Sequence, residues 1–385
     1  MKNGKRKKPS GAWFGILCFA LIGAACGALF LMYLDRAEQA GISKGQRLWA
    51  FALMMVCLYG AALIQIIIHE AGHLVFGLLT GYRFCSFRVF SLMWIKEDGK
   101  IRLKRMSLAG TGGQCLMGPP ELSDGNMPVM LYNFGGAILN LVSAVLFLGL
   151  SFLCPPVSMV RVFLWFLAVF GLGFALMNGL PLPAAGLNND GRNALELSRS
   201  GEAVRAFRIQ MKVNELTSDG VRLKDMPEEW FAVPSADAMN NGIIAPIGVL
   251  ACSRLMDEHR FAEADALMKD LLARKNAIAA VHRGLMVCDR MFLELIGENR
   301  PDILSALRTK EQEQLIKAMK TFPSVLRTEY ACALLGGRDP ARAETFRRQF
   351  EKAVRSYPYP GEIQAERELM ALAADAAASR KEKEQ

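Results

Sequence analysis

Long uninterrupted apolar runs fill the first half of the chain, and a mixed polar pattern fills the second half. Four runs almost free of charge cover residues 13–34, 48–79, 129–153 and 157–180. Each is long enough to cross about 30 Å of hydrocarbon, which takes roughly 20 helical residues. The pattern therefore predicts four transmembrane helices, the last two joined by a tight turn at residues 154–156.

The segment between the second and third runs has a different pattern. Residues 84–108 partly alternate apolar and polar side chains around Glu97-Asp98-Gly99, which is typical of a β-hairpin. The glycine-rich stretch at residues 110–113 lacks the following Lys-Ser/Thr and the βαβ setting of a phosphate-binding loop. We expect a loop at the membrane boundary there.

The second half of the chain shows helical periodicity over residues 236–375, interrupted by polar turns. An array resembling tetratricopeptide repeats and a plain helical bundle fit this pattern about equally, because its period is irregular. We expect residues 196–235 to form a linker and residues 376–385 a flexible tail. The predicted fold class is an α-helical polytopic membrane protein with a cytosolic β-hairpin and an all-α soluble C-terminal domain.

The composition agrees with a membrane protein. Hydrophobic residues make up 52% of the chain before its 34 glycines are counted, whereas soluble domains reach about 45–50% with glycine included. This excludes a fully soluble, a disordered and a collagen-like protein. The nine cysteines form no C-x-x-C pair, so neither a disulfide framework nor a cysteine zinc site is predicted.

The positive charges indicate how the chain is oriented in the cell membrane. The net charge is +9, and the basic N-terminus at residues 1–12 supplies five positive charges beside an apolar run. We therefore expect this cluster to orient a helix rather than to bind nucleic acid. Residues 13–34 exceed the apolar core of a signal peptide and lack a clear cleavage site, so they are interpreted as an extra retained helix. The basic residues of the 81–126 loop predict a multi-pass protein with both termini cytosolic.

The candidate chemistry lies in the second apolar run, as His69-Glu70-Ala71-Gly72-His73. Residues four apart share one face of a helix, so both imidazoles can reach one metal ion. Glu70 then lies where it could take a proton from a zinc-bound water. Charged and polar groups within a membrane helix are costly to insert and usually functional. The two other histidines, His259 and His282, lie in the polar second half and are assigned no role.

Zinc in a catalytic site takes a third protein ligand besides the two histidines. Asp190 lies just past the fourth predicted helix, and the predicted topology brings it to the same cytosolic side as His69 and His73. A string such as Asn-Asn-Asp-Gly on its own is typical of a simple turn. Position and topology favour Asp190 as the third ligand.

The H-E-x-x-H motif in a transmembrane helix, with Asp190-Gly191 after a later helix, resembles the site-2 protease family of intramembrane zinc metalloproteases, as a bacterial member. That family pairs H-E-x-x-H with a downstream N-x-x-P-x-P-x-x-D-G. This chain has N-G-L-P-L-P at residues 178–183, followed by six residues instead of two before Asp190. The G-G-A-I-L-N segment at residues 135–140 also resembles the family's middle helix. The resemblance covers residues 48–195, which it identifies as the metalloprotease core.

The resemblance implies one zinc ion per chain, held by His69, His73 and Asp190, with Glu70 as the catalytic base. It implies a transmembrane or membrane-inserted peptide as substrate, cleaved near the cytosolic face in regulated proteolysis or in the processing of precursors and signal peptides. Asn140 and Asn178 could bind the substrate backbone or the oxyanion, and a helix-packing role is at least as consistent for each.

Two other classes of function compete with this one. A catalytically idle membrane scaffold could bind cytosolic protein partners through residues 236–375, although such a protein would not need to keep Glu70. A transporter would show more spanning helices, with broken segments in paired halves. The sequence leaves the substrate, the activating signal and the oligomeric state open.

Overall fold

The computed structural model describes residues 10–97, 99–106, 112–121, 127–182 and 188–384. The basic residues 2–8, the turn residue Asp98, the glycine-rich residues 110–111 and Pro183 lie outside the described residues. The chain divides into a first unit, Met1–Val89 with Gly112–Val204, and a second unit, Phe90–Thr111 with Arg205–Gln385.

Four long apolar helices make up most of the first unit. They are α1 (Ser10–Gln39), α2 (Lys44–Leu79), α3 (Val129–Ser151) and α4 (Met159–Gly179). Each is long and apolar enough to cross a membrane, which confirms the four predicted helices. The beginning of α2 is fixed by a capping box, in which the Ser43 hydroxyl accepts from the Gln46 amide and Gln46 accepts from the Ser43 amide.

Packing among these helices places α3 against both α2 and α4, and α1 against α4. Buried side chains of α1, α2 and α4 form one apolar cluster, which includes Ile22, Met54, Ala61 and Phe166. The first unit also contains α5 (Asp190–Arg199) and the start of α6 (Gly201–Ser218). Much of the expected linker at residues 196–235 is therefore helical. Its apolar residues recur on one face of α6, where Ala203, Ala206 and Ile209 are buried.

Four strands, β1 (Arg83–Val89), β2 (Leu92–Glu97), β3 (Lys100–Arg105) and β4 (Gly113–Gly118), belong to one small antiparallel sheet. In the first unit β1 pairs with β4, from Arg83 opposite Gly118 to Val89 opposite Gly113. In the second unit β2 pairs with β3, from Leu92 opposite Arg105 to Glu97 opposite Lys100. The hairpin prediction therefore holds for β2 and β3. The loop expected at residues 110–113 was too long, because Gly113 already belongs to β4.

The rest of the second unit is helical. After α6 come α7 (Ala245–Asp257), α8 (Phe261–Ala273), α9 (Ala280–Ile296), α10 (Pro301–Leu307), α11 (Lys310–Ala318), α12 (Pro323–Ala331), α13 (Pro340–Val354) and α14 (Pro360–Glu384). Helix α14 packs against both α9 and α12, which also pack against each other. In a repeat array each unit contacts only its sequence neighbours, so these contacts favour the plain bundle. Helix α14 also continues through most of the expected flexible tail.

Candidate metal centre

Three side chains predicted as ligands meet at one point in the first unit. Nε2 of His69 lies 3.0 Å from Oδ2 of Asp190, and Nε2 of His73 lies 3.3 Å from the same oxygen. The two Nε2 atoms are themselves 3.3 Å apart. Ligands about 2.0–2.1 Å from a tetrahedral zinc ion are separated by about 3.3 Å. The three atoms thus occupy one face of such a tetrahedron, and the donor set fits a metal ion.

Hydrogen bonds fix the orientation of His69. Its Nδ1 lies 2.7 Å from Oδ1 of Asn140, which is completely buried. The amide nitrogen of Asn140 donates to the carbonyl and the side-chain oxygens of Gln65, at 2.9 and 2.7 Å. Gln65 is completely buried too, and its own amide donates to the carbonyl of Leu167. Because Oδ1 of Asn140 can only accept, His69 carries its hydrogen on Nδ1, and Nε2 keeps a lone pair for a metal.

His73 is held in the same way by a backbone group. Its Nδ1 lies 2.8 Å from the carbonyl oxygen of Tyr132, so this nitrogen also carries the hydrogen. The Tyr132 ring stacks on Tyr82 with 4.6 Å between centroids, and its hydroxyl donates to the carbonyl of Cys115. Both imidazoles therefore direct their Nε2 lone pairs to the same point as Asp190 does.

Close approach of α2 and α3 brings the histidines beneath Asn140. A Cβ added to Gly72 would lie 2.2 Å from the carbonyl oxygen of Gly135, and one added to Gly136 would lie 2.5 Å from the His69 ring. No side chain fits at these positions without moving a helix backbone or the imidazole. The helices can cross this closely only because glycine occupies the crossing point, as is common between membrane helices.

Asp190 is held at the centre by the residue before it. Asn189 caps α5 by accepting from the Arg192 amide at 2.9 Å. Its side-chain nitrogen donates to the carbonyls of Met177 and Leu180 at the end of α4. The beginning of α5 is thereby tied to the end of α4, and Asp190 is its first residue.

Glycine at position 191 allows this close attachment. A Cβ there would lie 2.3 Å from the carbonyl oxygen of Gly179. Any larger residue would push the beginning of α5, and the Asp190 carboxylate with it, away from the end of α4.

Glu70 is buried in α2 and lies under the backbone of β4. It interacts electrostatically with His69, His73 and Asp190, and its carboxylate accepts a hydrogen bond from the Cys115 amide. A Cβ added to Gly113 would lie 2.6 Å from Cγ of Glu70. The strand passes so closely over the carboxylate that only glycine fits at position 113.

The electrostatics of the centre call for a cation. Burial raises the pKa of Asp190, but hydrogen bonds and attraction from imidazoles protonated on Nε2 lower it more strongly, so the pKa lies below its ordinary value and the carboxyl stays ionised. A metal ion would take the place of those protons. A carboxylate and two imidazole lone pairs face one another within 3.3 Å. Burial also raises the pKa of the Cys115 thiol and keeps it neutral.

The two predicted asparagines differ in where they lie. Asn140 reaches the centre, but both of its amide hydrogens and its oxygen are bound within the protein, which suits support of His69 rather than contact with substrate. Within the described ranges, the Asn178 side chain donates a hydrogen bond to the carbonyl of Phe174, one turn earlier in its own helix. The other histidines, His259 and His282, lie in the second unit.

Sequence reasoning missed Gln65, Asn189 and Gly113, which support His69, Asp190 and Glu70 respectively. Gln65 had a visible signal, because it is a polar residue in a long apolar run, four positions before His69. Residues at this spacing share a helix face. Comparison of the chain with protein-family models, with curated proteins and with solved structures finds no match.

Proposed function

We propose that this chain is an intramembrane zinc metalloendopeptidase. The observation that carries the proposal is the convergence of His69, His73 and Asp190 within 3.3 Å, beside the Glu70 carboxylate. Both histidines lie in a helix apolar enough to span a membrane, and Asp190 begins α5. Two imidazoles and a carboxylate, with a position left for water, are a ligand set of catalytic zinc. The match of this motif to the site-2 protease pattern supports the same function.

Zinc bound to these three side chains would supply a water of lowered pKa and polarise a peptide carbonyl. Glu70 takes the proton from that water and passes it to the leaving amine, a role that suits a carboxylate held in place by the Cys115 amide. Asn140 and the Tyr132 carbonyl keep both imidazoles in the tautomer that binds metal. The reaction is hydrolysis of one peptide bond.

The substrate in this proposal is a transmembrane or membrane-inserted peptide. The positive-inside rule orients the chain with both termini in the cytosol. Glu70 lies nine residues before the end of α2, about 14 Å along the helix axis from its cytosolic end. This proposal places cleavage in the cytosolic half of the membrane, in regulated proteolysis or in the processing of precursors or signal peptides.

An extended conformation of the substrate is supported by β4. The amide and carbonyl of Cys115 bind Glu70 and the Tyr132 hydroxyl, which shows that the edge of β4 opposite β1 faces the centre. A peptide strand added along this edge would have to replace the hydrogen bonds that Cys115 makes to Glu70 and Tyr132, which would bring the strand's backbone beside Glu70. A helical substrate must unwind before it can bind in this way.

The experiment that tests the function compares the termini of membrane proteins in cells carrying the wild type or Glu70→Gln. The glutamine keeps the size of the side chain but cannot take the proton, so new termini near cytosolic membrane boundaries should disappear while uncleaved precursors accumulate. Glu298→Gln, at a side chain 72% exposed, is the matched control. Identical termini at equal protein levels would refute the proposal and favour the idle scaffold whose helical part, residues 236–375, binds cytosolic proteins.

A further inference from the structure

The second unit contains a cavity of about 260 Å³ between α6, α7, α9, α12 and α14. Apolar side chains such as Val249, Met286 and Leu369 form part of its wall. Polar groups, including four carboxyls, form the rest. Pockets for small molecules combine apolar walls with a few fixed polar groups, and this one falls slightly below their range of roughly 300–1,000 Å³. It therefore suits a small ligand.

The carboxyl groups of the cavity outnumber its cations. Asp257 forms an ion pair with Arg222, and Arg222 also pairs with Glu368. Among the described residues, one arginine lines the cavity. It is Arg327, which donates a hydrogen bond to Asp289. The other two carboxyls belong to Glu362 and Glu366.

Neither of these two glutamates has a cation of its own. Among the described residues, Glu362 accepts a hydrogen bond from the neutral Tyr357 hydroxyl, at 2.6 Å. Glu366 faces Nε of Arg327 at 3.4 Å, without a hydrogen bond. The wall of the cavity thus contains more carboxyl groups than cations.

Three buried polar atoms of this wall have no hydrogen-bond partner within the part of the chain that the structure describes. They are Nε of Arg327, Oε2 of Glu366 and Nδ1 of His282. The Arg327 side chain is only 1% exposed. A buried polar atom left unpaired costs roughly 1–3 kcal/mol, so such atoms are rare in native proteins. Two of these atoms, Nε of Arg327 and Oε2 of Glu366, face each other at 3.4 Å as an ion pair without a hydrogen bond. Nδ1 of His282 is the atom that a ligand would complete outright, and the Arg327–Glu366 pair is open to a further donor.

We propose that this cavity binds a small organic amine with an apolar body. The ammonium group binds to the Glu366 carboxylate and donates to the free nitrogen of His282, while the apolar body packs on Val249 and Leu369. An anion would face several carboxyl groups, and a neutral ligand would supply no positive charge to Glu366. This gives His282, which sequence reasoning left without a role, a place in a binding site. The inference does not depend on the metal centre.

The test uses the full-length chain in lipid nanodiscs and three probes of the same shape: 2-phenylethylamine, 2-phenylethanol and phenylacetate. Isothermal titration calorimetry should detect one saturable site for the amine, with the alcohol and the carboxylate weaker by at least about tenfold. Glu366→Gln should weaken amine binding by about tenfold, and the exposed control Glu298→Gln should leave it unchanged. Subtracting this control removes any heat from partition into lipid.

A second variant separates binding from folding. Ala365 lines the cavity in α14, and Ala365→Leu fills part of the space while leaving every charged group in place. It should abolish amine binding without lowering the melting temperature. Equal binding of all three probes, no saturable heat with the amine, or full binding by both cavity variants would each overturn the proposal.

Discussion

The metal centre and the cavity of the second unit both gather charged groups away from water, but they differ in how those groups are paired. At the centre each imidazole has an acceptor on its outer nitrogen, and Asp190 meets both inner nitrogens. In the cavity, Arg327, Glu366 and His282 each keep an unpaired polar atom. Pairing of both outer nitrogens holds the imidazoles in one geometry and leaves three acceptor atoms for a metal ion, which suits a reaction. In the cavity, a ligand that supplies the missing hydrogen-bond partners would gain binding free energy.

The two regions should therefore respond differently to substitution. The centre depends on close contacts with backbone at Gly72 and Gly191 and with the Glu70 side chain at Gly113, where an added methyl group forces a neighbouring atom to move. Small changes there should abolish chemistry with little change in the rest of the fold. The cavity lies within a helical bundle, and changes there should alter ligand binding and the dependence of stability on pH.

The largest expected effect comes from removing one of the three proposed zinc ligands. His73→Ala should lower bound zinc from about one ion per chain to nearly none and reduce peptide hydrolysis by about a thousandfold or more, because two ligands hold zinc weakly. Metal analysis of the purified chain and cleavage of a membrane-inserted peptide measure the two effects. His259→Ala is the control, since that histidine is 39% exposed and belongs to the second unit. Full zinc in His73→Ala would contradict the assignment of the centre.

The next largest effect is expected from a change that displaces Glu70, the proposed catalytic base, but leaves the metal ligands in place. In Gly113→Ala the added methyl group would lie 2.6 Å from Cγ of Glu70, so the strand or the carboxylate must move. A shift of about 1 Å can cost about a hundredfold in rate. Activity should fall by about that factor while zinc stays bound. Gly149→Ala, at a helix position with open space around it, should keep both. Normal activity in Gly113→Ala would show that Glu70 does not act under β4.

A smaller effect is expected from replacing Gln65, which supports His69 through Asn140. Gln65→Leu removes one acceptor of Asn140 and the donor to Leu167, so Asn140 holds the imidazole less firmly. Loss of such a supporting partner typically weakens metal binding by about 10–100-fold. Zinc affinity is measured by competition with a chelator. Gln39→Leu, which changes an exposed amide, is the control. Equal zinc affinity in both variants would mean that Asn140 needs no help from Gln65.

Much of the first unit could be predicted from the sequence because its signals are local. The four apolar runs and the spacing of His69, Glu70 and His73 depend on neighbours along one helix. The support behind them is not local. Gln65 donates to Leu167, 102 positions away, and Asn140 meets His69 across 71 positions. A sequence shows that such residues are polar, but it does not show which partner they reach.

The elements that sequence reasoning missed had weak patterns. Strand β4 begins and ends with glycine and has little alternation, so no strand was predicted there, and its first residue fell within the expected loop. Helix α6 lay in a segment that looked polar on average, although its apolar residues recur at helical spacing. The cavity could not be predicted at all, because Glu366, Arg327 and His282 meet only through the packing of three helices.

The smallest expected effect concerns pH and the second unit. Burial raises the pKa of Glu366 from 4.5 to about 7. Between these values the folded chain holds a proton that the unfolded chain has lost, so stability is greatest below about pH 4.5 and falls as pH rises through 7. The loss amounts to roughly 3 kcal/mol at most. Burial also raises the pKa values of Asp289 and Glu362, with the same sign, and lowers that of His282, with the opposite sign.

Comparing the wild type with Glu366→Gln isolates this one carboxyl, because the neighbouring groups are common to both proteins. Glutamine does not titrate, so urea unfolding followed by circular dichroism should show a smaller loss of stability between pH 5 and pH 7.5 in the variant. The exposed Glu298→Gln should keep the wild-type slope. Parallel slopes in the wild type and Glu366→Gln would show that Glu366 ionises as freely in the folded chain as in water. The cavity would then lack the buried, incompletely paired carboxylate that distinguishes it from the metal centre.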